Sequence, residues 1–119
     1  MEILADITVF LVALLHAYFL IVEIFLWEKP TGLKISGLSA IQARDTKVLA
    51  ANQGLYNGFI SAGLGWGLLQ GSAGNDVKVF FLLCVITAGV FGAVTANTRI
   101  LYVQALPGLV ALVLVLAST

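Results

Sequence analysis

Four long apolar runs, each interrupted only by isolated polar positions, make up most of the chain. The first extends from about Ile3 to Trp27 and the second from about Val48 to Leu69. The third extends from Val77 to Ala96 and the fourth from Ile100 to Ala117. A hydrocarbon layer about 30 Å thick is crossed by roughly 20 apolar residues of helix, so each run matches one crossing. The pattern predicts an all-α fold: an integral membrane four-helix bundle, residues 1–119 forming one domain. The chain opens Met1-Glu2-Ile3-Leu4-Ala5-Asp6, acidic where a secretion signal is basic, and the apolar run that follows is too long for one. It is expected to stay as the first span.

The connections are short. Glu28-Lys29-Pro30-Thr31-Gly32 reads as a turn, because proline and glycine stop the helix leaving Trp27. Ser39-Ala40-Ile41-Gln42 has capping-box spacing, which starts the second helix well before its apolar run. Gln70 to Asp76 reads as a flexible link and Asn97-Thr98-Arg99 as a tight turn. No internal repeat or low-complexity segment appears.

Composition narrows the class. Hydrophobic residues are 61% and charged residues 10% of the chain, against about a quarter charged in soluble domains. The charged residues are too few to cover a water-facing globule. A formal net charge of zero excludes a nucleic-acid partner, since neutralising phosphates takes a basic patch. The lone Cys84 cannot form an intramolecular disulfide. Basic residues set the orientation. Lys29, Lys34, Arg44 and Lys47 lie in the first connection and Arg99 in the third, leaving only Lys78 opposite. These loops are therefore expected in the cytoplasm, with both termini non-cytoplasmic.

Membrane helices associate through close packing and interhelical hydrogen bonds. Gly54, Gly58 and Ala62 recur every fourth residue on the second span, as do Ala88 and Gly92 on the third. They read as packing surfaces. The polar residues within the spans are costly and turn inward toward partners. His16 and Glu23 share a face of the first helix, roughly 10 Å apart along it. Asn52, Gln53, Tyr56 and Asn57 form two polar rows on the second, and Arg99, Tyr102 and Gln104 open the fourth. Counted from the cytoplasmic boundary, Glu23 and Asn52 lie roughly 6 Å deep, and His16 and Asn57 roughly 14 to 16 Å. The expectation is a cytoplasm-facing cleft with His16 and Asn57 at its floor and Glu23, Asn52, Arg99 and Gln104 at its rim. A Glu23–Arg99 ion pair would neutralise both charges. Such amides, tyrosines and histidines also serve as interhelical glue. One histidine with one carboxylate falls short of a metal shell, no cofactor motif is evident, and no nucleophile–base pair or phosphate loop appears.

Several segments together resemble a known family: Leu14-Leu15-His16-Ala17-Tyr18, Glu23-Ile24-Phe25-Leu26-Trp27 with Pro30, and Leu49-Ala50-Ala51-Asn52-Gln53-Gly54-Leu55-Tyr56-Asn57-Gly58. Phe80-Phe81-Leu82-Leu83-Cys84 and Val103-Gln104-Ala105-Leu106-Pro107 complete the match. This is the bacterial membrane family catalogued as domain of unknown function 1304. The resemblance implies a four-helix inner-membrane protein and brings no activity with it. In fold the chain also resembles the membrane-associated proteins of eicosanoid and glutathione metabolism, a resemblance that implies a trimer. Asn52 matches the asparagine of their second helix, while Leu55 and Gly58 stand where that family has glutamate and proline.

The function expected is therefore an accessory or structural membrane subunit, or a small-ligand binder with a polar cleft in the cytoplasmic half. The alternatives are a glutathione-transferase-like enzyme and a small proton-coupled exporter using Glu23. Partners are the bilayer and further copies, as dimer or trimer, or a larger membrane complex.

Overall fold

Glu2 through Phe25 is apolar almost throughout and holds no glycine or proline to break a helix, and in the computed structural model, which describes residues 1–119, it forms α1 (Glu2–Phe25). Four more helices follow: α2 (Pro30–Ser36), α3 (Ala40–Leu69), α4 (Asn75–Thr95) and α5 (Leu106–Ala117). A 3₁₀ turn, Gly71–Gly74, precedes α4, and a π-helical segment, Leu101–Ala105, precedes α5. The protein is all-helical. Two stretches, Glu2–Phe25 and Gly71–Thr95, are long and apolar enough to cross a membrane. At 30 residues α3 has the length, but Asn52, Gln53 and Asn57 interrupt its apolar run.

Two local signals act where the sequence places them. The Ser39 N–H donates to Gln42 Oε1 at 3.0 Å and the Gln42 N–H to Ser39 Oγ at 3.1 Å, the reciprocal bonds of a capping box. Helix α3 accordingly begins at Ala40, eight residues before its apolar run. Across Asn97-Thr98-Arg99 the chain turns, the Arg99 N–H donating to Asn97 Oδ1 at 2.8 Å. Elsewhere the expectation needs correction. Only the start of Glu28–Gly32 is a turn, because Pro30 opens α2. A proline at the first helical position gives up an N–H that has no partner there in any case. Gly37, at φ 74°, ends the helix in the left-handed conformation and returns its N–H to Leu33 O at 2.9 Å.

The helices group into two compact units, Met1–Leu14 with Ile60–Thr119, and Leu15–Phe59. The first unit holds a buried cluster from four helices. Ala5, Val9, Val12 and Ala13 come from α1, Leu64 from α3, Leu82 and Val85 from α4, and Ala111, Leu112 and Val115 from α5. Side chains at a 3.5-residue repeat keep facing a neighbouring helix, and the buried row of α4 obeys it: Lys78, Leu82, Val85, Gly89. At Gly89 the backbone of α4 meets Ala105 of the π segment, with Gly108 against Val85 one turn on. The Leu106 N–H returns to Leu101 O, one residue further back than in an α-helix, just before Pro107, which has no N–H to give.

In the second unit α1 and α3 run close together through two glycines. Gly54 lies against Ile24 and Glu23, where an added Cβ would stand 3.0 Å from the Glu23 Cβ, and Gly58 lies against the end of the Leu20 side chain. At the end of α1 the Trp27 indole donates to Thr46 Oγ1 at 3.1 Å.

Candidate functional site

The close approach at Gly54 and Gly58 brings a carboxylate and an amide together. Asn57 Nδ2 donates to Glu23 Oε1 at 2.5 Å, both side chains half-buried. The sequence offers Arg99 as the partner of Glu23 and places Asn57 deeper, level with His16. The carboxylate instead takes the amide of α3: Gly54 stands against Glu23, and Asn57, three residues on and so within one turn of the same helix, reaches the carboxylate from there. Glu23→Ala and Asn57→Ala are each expected to lower the unfolding midpoint in detergent, with the double variant losing less than the sum. Interhelical hydrogen bonds of this kind couple by about 1 kcal/mol. Strict additivity in the cycle would mean that the two side chains do not interact.

Beside this pair a cleft of about 500 Å³ opens between the end of α1 and the first half of α3. Ile24, Phe25, Val48 and Ala51 give it an apolar wall. Glu23 and Trp27 line it further in, and Glu28, Lys29 and Lys47 form an exposed rim. Lys47 Nζ and Glu28 Oε1 are 3.9 Å apart and both well exposed, so this ion pair adds little stability and leaves the rim free to rearrange. The lining charges balance, two acidic and two basic.

The remaining expected residues are placed as follows. His16 is fully buried, its ring edge-on to Phe19 with centroids 5.5 Å apart. Asn52, Gln53 and Tyr56 are exposed on α3, Tyr56 stacking edge-on with Phe59 at 5.7 Å. Arg99 is exposed at the start of the last helical stretch, and Gln104 is half-buried in the π segment. Gly92 packs against Ile100, while Ala62 and Ala88 are exposed. A row of every fourth residue turns 40° per step on a 3.6-residue helix. By Ala62 it has therefore swung away from the face that Gly54 buries.

One polar centre has no counterpart in the sequence reading, which uses Lys78 only to set orientation. Lys78 is 2% exposed, and its ammonium donates to Asp6 Oδ1 at 3.0 Å, Gly71 O at 3.2 Å and Asn75 Oδ1 at 3.2 Å. An ammonium has three donors, and here all three are used. Gly71 turns its carbonyl to this site from a left-handed backbone, φ 61°, which suits glycine. The Asn75–Lys78 spacing was a visible signal. Asp6, 72 positions away, was not.

Comparison with known proteins agrees with the membrane-family motifs. A family model described as "Protein of unknown function (DUF1304)" matches residues 10–116. The chain is similar to a Lactococcus lactis protein named "Uncharacterized protein YpaA", 31% identical over 106 residues, covering 87% of this chain and 89% of that one. No solved structure matches, and the resemblance to eicosanoid and glutathione proteins gains no support.

Proposed function

Because the chain belongs to the DUF1304 family, whose function is not known, we propose from the site itself that it is a multi-pass inner-membrane protein that binds a small amphiphile in the α1–α3 cleft. The observation that carries this reading is a half-buried carboxylate, Glu23, held by Asn57 beside an apolar-walled cleft with a charged rim. Ligand sites are typically concave and mostly apolar, with a few fixed polar groups. The topology proposed with it is four spans with both termini outside. It is supported by two helices long and apolar enough to cross a membrane and by five of six basic residues lying in the first and third connections. In that topology the cleft opens at the cytoplasmic boundary. Trp27 sits at the level where indoles anchor, and a ligand's apolar part rests on Phe25 and Val48 with its polar part at the rim.

The test is native mass spectrometry of protein extracted from its own membranes. A co-purifying small molecule is expected on the wild type and absent from Ala51→Trp, which fills the cleft; a ligand-free wild type overturns the reading. The same preparation separates the alternatives. Thermal stabilisation by glutathione supports a transferase. Proton release on binding a hydrophobic cation, lost in Glu23→Gln, supports an exporter. Migration only within a fixed larger complex supports an accessory subunit.

A further inference from the structure

One row of α3 is turned outward along its length. Asn52, Leu55, Phe59, Ala62, Trp66 and Leu69 follow one another at alternating steps of three and four residues, and each is exposed. They belong to one unbroken helix. A strict 3.5-residue repeat is the seam by which one helix coils about another of the same repeat; a helix facing lipid alone has no need of it.

The apolar members of the row suit lipid or protein equally. Asn52 does not. Its amide makes no hydrogen bond within its own chain, and the bilayer core offers no partner, so leaving it there is costly. An amide is donor and acceptor at once, so the same amide on a second chain, in register, satisfies both halves. A single asparagine in an otherwise apolar seam is also the device by which coiled helices fix register and copy number.

We propose that α3 is the self-association surface of this protein, lying parallel and in register on α3 of a second copy with Asn52 meeting Asn52. This goes beyond the cleft, whose lining does not include the row. It rests on the membrane reading of α3 given above.

Single cysteines placed along α3 in a Cys84→Ser background, oxidised in the membranes of the producing cells, test it. Disulfide-linked species of twice the chain mass are expected at Leu55, Phe59 and Ala62, and not at the inward-facing Ala50 and Leu64. Asn52→Ala should raise the dissociation constant in detergent about tenfold, the loss of one interhelical amide pair. Because Asn52 is exposed, this variant leaves the fold of each copy intact. Cross-links without the three–four periodicity, adducts of another mass, or a monomeric wild type would overturn the proposal. A charged maleimide applied to the same cysteines separates the causes. Failure to cross-link with no labelling sinks the pairing alone, whereas failure with strong labelling sinks the membrane placement of α3 as well.

Discussion

Asp6→Ala is expected to destabilise the protein more than Lys78→Met, although each removes one partner of the same ion pair. The reason is the difference in burial. Lys78 is 2% exposed and Asp6 41%. Removing the carboxylate leaves a buried ammonium with only the neutral oxygens of Gly71 and Asn75, and an uncompensated buried charge costs about 3 kcal/mol or more. Removing the ammonium leaves a carboxylate that already reaches solvent. Methionine fills a similar volume, so the loss falls to roughly 1 kcal/mol, the scale of lost hydrogen bonds. The double variant Asp6→Ala/Lys78→Met is expected to recover most of the Asp6→Ala loss, since no charge is then stranded. Reversible denaturation in mixed micelles measures all three. Equal losses in the two single variants would show that Lys78 reaches water when Asp6 is absent, and that the three acceptors do not enclose it.

This pair also shows which features the sequence carries legibly. Local chemistry reads well: Ser39 and Gln42, three residues apart, announce a helix start, and both bonds form. Hydropathy marks the long helical runs, and the α-helices end within a few residues of them. Helix α2 was hidden although Pro30 and Gly37 are its two punctuation marks. Seven residues with a proline read first as a turn. Packing partners distant in the chain are not legible, because periodicity says which residues share a face and not what that face meets. Asp6 and Lys78 are 72 positions apart. Glu23 and Asn57 were both visible as polar residues, but their pairing depends on the α1–α3 register, which Gly54 and Gly58 set by close contact. Counting depth from an assumed membrane boundary does not recover that register.

The sharpest disagreement between pattern and packing lies on α4, and it yields the second large effect. Steps of four residues pick out Ala88 as a packing position, whereas the buried row runs through Lys78, Leu82, Val85 and Gly89. One residue on a helix is a rotation of about 100°, so the two registers bury different faces. At Gly89 an added Cβ would stand 2.6 Å from the Ala105 backbone nitrogen and 2.8 Å from the Ala105 Cβ. Neither is the loose end of a side chain, so α4 and the π segment must separate to admit it. Overpacking of this kind costs about 1 to 3 kcal/mol, more where backbone must move, and Gly89→Val belongs at the upper end. The separation would also disturb Gly108 against Val85, where a Cβ would already lie 2.9 Å from Val85 Cγ1. Ala88 is exposed, and Ala88→Val is expected to change stability by less than about 0.5 kcal/mol. The pair of variants needs one measurement, the denaturation midpoint under identical detergent conditions. A large loss at Gly89 with near neutrality at Ala88 fixes the α4 register. The reverse order would place Ala88 in the interior and rotate every contact of α4, including that of Lys78 with Asp6.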